Sequence, residues 1–241
     1  MQNPQQFAKF EEVPYMTTHE AIRLERIYLV ASLFTGIGMG QLVLIKAARF
    51  DLYNIVPVPS FMWLVIALVC LVLLVFTELF NKFPVNWTLG VVTVESMTLC
   101  VVCYNWTTLK FMYATIIVVT ILATNLFLYL MGAFLPLSFL PGYKTMLVIT
   151  IVFIIVYILL TIVVFAIKMP EFVVLVDSWS LLYMLPLTLY GSTIIHHRRL
   201  ENMVSEEYVL SATIITAFFL YMIHLLASVV NYSLRLHDSN A

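Results

Sequence analysis

Apolar residues fall into seven long runs separated by short polar pieces, and neither the two-residue alternation of a half-buried strand nor the one-sided stripe of a soluble helix appears. The runs are Ile27 to Ile45, Pro59 to Leu79, Val85 to Tyr104, Phe111 to Met131, Thr145 to Ile167, Phe172 to Ile195 and Val209 to Ser233. The fourth has no charged residue in 21 positions. At about 1.5 Å of rise per residue, such a run crosses a hydrocarbon core roughly 30 Å thick. A membrane β-barrel would need segments of about ten residues with alternating polarity, and these runs do not alternate.

The pattern therefore predicts an all-α, polytopic membrane protein with seven transmembrane helices. Residues 1–26 are expected to form an N-terminal cytosolic tail, 27–233 the seven-helix domain and 234–241 a short C-terminal tail. Residues 1–21 are polar, acidic and proline-bearing, unlike a cleaved signal peptide, so the first apolar run is expected to act as the insertion signal. Composition agrees: 10% of residues are charged and 63% hydrophobic, against about 25% charged in a soluble domain. No soluble stretch is long enough for a separate catalytic head, and nothing points to nucleic acid; membrane lipid is the first expected partner.

Basic residues set a weak orientation. Lys9, Arg23, Arg26, Lys82, Lys144, Arg198 and Arg199 fall on the N-terminal side, and Lys46, Arg49, Lys110, Lys168 and Arg235 on the other. This bias favours a cytosolic N-terminus. The sequons at Asn105 and Asn231 would then face the glycosylating side, and that at Asn86 would not.

Charged side chains inside the apolar runs carry the most information, because each costs a few kcal/mol at mid-bilayer unless it meets a partner or water. Glu95, near the middle of the third run, has two readings: an ion pathway group facing water, or a carboxyl that ties helices together through neighbours such as Asn125. Asp177, early in the sixth run, either lines a vestibule or serves the interface. Glu78 reads as interfacial. His224 is expected to be a hydrogen-bonding group of the last helix, and Ser228 and Asn231 add polar positions that a neighbouring helix satisfies better than lipid does. Gly36, Gly38 and Gly40 suggest close helix packing on the first helix; no βαβ unit surrounds them as a dinucleotide site would require. Pro136 and Pro141 mark a turn, and Pro186 a kink in the sixth helix. Ser205, followed by Glu206 and Glu207, is suited to cap the last helix. Cys100 and Cys103 have no second pair or histidine nearby, so they read as core residues, and no metal site is assigned.

Enzyme chemistry is not expected. Asp177 is the single aspartate within a run, so an intramembrane aspartyl dyad is missing, and neither an HExxH zinc motif nor a glycine-framed serine nucleophile occurs.

Several stretches together resemble the transmembrane BAX inhibitor motif family, especially its Golgi anti-apoptotic, Lifeguard-like branch. They are Tyr190-Gly191-Ser192 with the histidine-basic turn after it, Ser205-Glu206-Glu207-Tyr208-Val209-Leu210, Phe83-Pro84-Val85-Asn86 leading to Thr93-Val94-Glu95-Ser96-Met97-Thr98, Ile22 to Tyr28, and His224-Leu225-Leu226. The resemblance implies a seven-helix bundle with a central last helix, Tyr190 among its polar helix contacts, residence in the endoplasmic reticulum or other secretory membranes, calcium leak from internal stores and restraint of cell death. In that family two aspartates late in the sixth helix and in the seventh form a gate. This chain has Gly191 at the first position and Ala217 or Phe218 at the second, so the paired carboxylates are missing. A divergent member of this kind also resembles seven-helix proteins encoded by cytomegaloviruses, which implies a host membrane as its location. The expected activity is a calcium-permeable leak or viroporin-like channel with calcium as permeant ion and no cofactor. The alternative is a nonconducting adaptor that binds host membrane or cell-death regulatory proteins and alters traffic, adhesion or immune evasion.

Overall fold

The computed structural model describes residues 18–48, 58–76, 82–136, 138–167, 171–196 and 208–239. Among them the regular structure is entirely helical: α1 (Thr18–Ala48), α2 (Ser60–Phe76), α3 (Val85–Val101) continued by a π turn (Val102–Trp106), α4 (Phe111–Phe134), α5 (Tyr143–Ile167), α6 (Glu171–Ile195) and α7 (Tyr208–Ser239). Five of these, α1 and α4 to α7, are long and apolar enough to cross a membrane, whereas α2 and α3 have 17 residues each.

Only a helix satisfies its own backbone in hydrocarbon, which is why apolar runs of this length fold this way. Hydroxyl side chains inside the runs add little polarity, because they bond back to the carbonyl one turn earlier: Thr98 to Val94 at 2.9 Å, Thr150 to Met146 at 2.8 Å, Thr213 to Val209 at 2.8 Å. The helices end where the sequence stops them. Leu135 leaves α4 in extended conformation (φ −66°, ψ 148°), as expected of a residue whose successor, Pro136, crowds the α region.

Helix ends differ from the hydropathy boundaries. α1 begins at Thr18, ahead of Ile27, and α7 runs to Ser239, beyond Ser233. The extra nine residues at the start of α1 include Glu20, Ala21, Arg23, Leu24, Glu25 and Arg26, good helix formers that continue a helix without a fully apolar run. Glu78 and the Ser205–Glu207 cap lie outside the described residues.

α7 is the element around which the others pack: it touches α1, α2, α3, α4 and α6. Its buried positions run nearly all round the helix, from Val209 and Ala212 through Leu220 and Ile223 to Ala227 and Ser228. Small residues at Ala212, Ala217 and Ala227 let neighbours approach, as helices must when lipid supplies no hydrophobic drive between them. α5 is the opposite case. Met146 is its one buried side chain, and its main contact is with α6. Phe153 stacks on Tyr183 at 4.0 Å, Tyr183 and Thr150 share a hydrogen bond of 3.0 Å, and beside them lies an apolar groove of about 290 Å³ bounded by Val152, Trp179 and Pro186.

One expectation changes. The glycines of α1 do not share one packing face: a Cβ on Gly38 would meet Thr98 at 3.0 Å and Leu220 at 3.3 Å, but one on Gly36 or Gly40 would meet nothing within 4 Å. Residues two apart on a helix point to different sides, so only Gly38 faces the bundle. Pro186 lies inside α6, which is helical on both sides of it, as a kinked helix is. The sequon at Asn231 is buried inside α7, as Asn86 is in α3, so neither amide is open to a glycosylating enzyme.

α4 and α6 approach closely at Gly132 of α4, where a Cβ would overlap the side chain of Ser192 on α6. Gly132→Ala should therefore lower stability by roughly 1–3 kcal/mol, seen as a reduced thermal unfolding midpoint in detergent. Gly36→Ala, with open space beside it, should stay within about 0.5 kcal/mol of the parent. Equal midpoints for both would mean that α4 and α6 do not meet at Gly132.

Candidate functional site

Glu95 is half-buried on α3 and is held by α1. The Gln41 amide nitrogen lies 2.7 Å from both carboxylate oxygens and donates to them. Its partner is thus the Gln41 amide of α1 rather than Thr93, Ser96 or Asn125, the neighbours expected from the sequence. Two of the basic groups of α1 are engaged elsewhere. Arg23 donates to the Ile195 carbonyl at 2.6 Å, and the Lys46 ammonium bonds the carbonyls of Trp106 at 2.6 Å, Thr107 at 3.0 Å and Leu109.

Those two contacts fasten opposite ends of the helix. Near the Arg23 end, the Tyr28 hydroxyl meets His196 Nε2 at 3.1 Å, and His196 Nδ1 lies 2.8 Å from the Ser192 carbonyl. Nδ1 must carry the proton to bond that carbonyl, so Nε2 accepts from Tyr28 in the neutral ring. Ser192 in turn donates to the Tyr129 carbonyl at 3.0 Å, joining α4 to α6. Near the Lys46 end, the Trp106 indole donates to the Leu42 carbonyl at 2.9 Å. The π turn containing Trp106 has carbonyls turned out of the regular ladder, and an ammonium at a helix C-terminus also meets the negative end of the helix dipole.

Asp177, half-buried on α6, accepts a hydrogen bond from Ser228 of α7. Glu95 and Asp177 therefore answer to different helices. Asn125 donates to its own Ile121 carbonyl at 2.9 Å and reaches the Met222 sulfur of α7 at 3.5 Å; its carbonyl oxygen is buried with no hydrogen-bond partner. Thr188 of α6 approaches the same sulfur from the other side, at 4.0 Å. His224 stacks on Tyr221 of its own helix, with ring centres 6.1 Å apart. Tyr190 contributes its carbonyl, which accepts from Thr193 at 2.7 Å.

Gly191 and Phe218 adjoin across α6 and α7. A Cβ built on Gly191 would lie 3.9 Å from the Phe218 ring, whereas Ala217 is buried. An aromatic ring thus stands beside the bare glycine, and no carboxylate comes from either position.

Gln41, Lys46 and the Tyr28–His196 contact escape sequence reading. Gln41 is a single amide in an apolar run, Lys46 reads as a loop charge, and pairing with partners more than fifty residues away leaves no local pattern. No family model, curated protein or solved structure matches this chain.

The Asp177–Ser228 bond links α6 to α7. A hydrogen bond to a charged group in a partly buried place contributes about 1.5–3 kcal/mol. Ser228→Ala should lower the unfolding midpoint accordingly, and a cycle with Asp177→Asn should give a coupling energy of at least about 1 kcal/mol. Strict additivity would mean that the two side chains do not interact.

Proposed function

We propose that the chain crosses the membrane seven times and acts as a calcium-permeable leak of the endoplasmic reticulum or connected secretory membranes, lowering stored calcium and restraining cell death. α3 with its π turn covers Val85–Trp106, and α2 extends from Ser60 within an apolar run that continues in sequence to Leu79. Each is close to the length a thin or locally adapted bilayer accepts.

The observation that carries the reading is Glu95. A carboxylate in the apolar part of α3, hydrogen-bonded by an amide that leaves its charge in place, is costly as architecture alone, because replacing a buried ionic group by an apolar one often stabilises. It is suited to attracting a hard cation without caging it. Asp177 is assigned to the vestibule of the same path, and calcium is the permeant ion. The adjoining Gly191 and Phe218 remove the family-like carboxylate lock, so the leak is expected to lack its acid-sensitive gate. The motif resemblance supports the setting, a seven-helix relative of the BAX inhibitor motif family carried by a virus and residing in host membranes.

Purified protein in calcium-loaded liposomes tests this. Efflux should exceed that of protein-free vesicles, and Glu95→Gln should reduce it at least about fivefold, near 1 kcal/mol of cation stabilisation. No flux above background would end the channel reading and leave the adaptor reading, in which the fold is a scaffold for host membrane proteins. Full flux in Glu95→Gln would remove that carboxylate from the path.

A further inference from the structure

We infer that the Asn125 amide and the Thr188 hydroxyl bind a water molecule where α4, α6 and α7 meet inside the bundle. Asn125 is 6% exposed, and Thr188 and Met222 are wholly buried. At about 1.5 Å of rise per residue, Asn125 lies roughly 21 Å from the first residue of α4 and roughly 14 Å from the last, so neither helix end brings bulk solvent to it. Its amide nitrogen donates to the Ile121 carbonyl at 2.9 Å and toward the Met222 sulfur at 3.5 Å, while its carbonyl oxygen has no partner. Turning the amide over would set that oxygen against the Ile121 carbonyl, acceptor to acceptor. The backbone therefore fixes which atom is orphaned.

Thr188 supplies the second half of the site. Thr98, Thr150 and Thr213 return their protons to the carbonyl one turn earlier, whereas Thr188 turns to the Met222 sulfur at 4.0 Å, a weak acceptor at long range. Two polar side chains thus converge on one thioether, with a strong acceptor left over. The partner that completes them must donate. An anion would bring only further acceptors, and a bare cation would shed its hydration for one amide oxygen and one hydroxyl, with no carboxylate among the groups that meet here. Water fits both sides: it accepts from Thr188, gives one proton to the Asn125 oxygen and the other to the Met222 sulfur, three partners as a buried water commonly has. Room for it comes from Met222, whose unbranched thioether chain repacks readily. The site is independent of the calcium-leak reading, and it lies on three helices other than the α1 and α3 pair that holds Glu95.

The test is water-edited solid-state magnetic resonance of the full chain in lipid bilayers, with asparagine labelled with carbon-13 and nitrogen-15. The side-chain carbonyl signal of Asn125, identified by its loss in Asn125→Leu, should take up water magnetisation in the parent protein. The rate should fall at least about fivefold in Thr188→Val, which removes one of the three partners, and hold in Thr188→Ser, which keeps the hydroxyl. Thr188→Ala takes the place of the valine variant if that one does not fold. No transfer to Asn125 in the parent, or an equal rate once the Thr188 hydroxyl is gone, would overturn the site. Calcium efflux measured on the same preparation separates the two readings: transfer without efflux keeps the water site and discards the channel, whereas efflux without transfer keeps the channel and discards the water site.

Discussion

A polar atom in hydrocarbon has no solvent to fall back on, so nearly all of those in the described helices are satisfied by another part of the chain, the Asn125 carbonyl oxygen being an exception. That constraint explains much of the structure. Backbone groups are absorbed by helices, hydroxyls by the preceding turn, and the remaining charged or amide side chains become ties between helices. Arg23 and Lys46 fasten α1 at its two ends by donating to carbonyls left over where α6 and the π turn stop. Asp177 ties α6 to α7 through Ser228. Glu95 likewise meets a neutral partner, the Gln41 amide, which ties α3 to α1.

The same constraint sets the place of α7. Its small residues permit close approach, and its hydroxyls and amides need neighbours on several sides. Thr216 faces α1, within 3.3 Å of Thr35 and of the Ala31 carbonyl, while Ser228 faces α6 and Met222 receives Asn125 from α4. α5 is tied to α6 by the Thr150–Tyr183 hydrogen bond and is otherwise apolar and exposed along most of its length.

Much of this was legible in the chain. Run length and uniform apolarity gave the helices, and Pro136 gave the end of α4, because these are local consequences of backbone geometry. The polar positions His224, Ser228 and Asn231 pointed to a last helix in need of neighbours. Pairings were less legible. Glu95 stood out as a buried charge, but nothing near it in sequence named Gln41, and Lys46 looked like a loop residue because its three carbonyl partners belong to the turn after α3. The three glycines of α1 misled by spacing: two residues apart is not one helix face, and only Gly38 meets a neighbour.

The account turns on whether Glu95 meets water. The most direct measurement is the reaction of Glu95→Cys, in a background with Cys70, Cys100 and Cys103 replaced by alanine, with a small charged thiol reagent that does not cross lipid, using Leu159→Cys on the exposed face of α5 as the lipid-facing control. The account predicts that position 95 is labelled in intact membranes from at least one side while position 159 is not. Equal silence at both positions would contradict it and make the Glu95–Gln41 pair a helix tie alone.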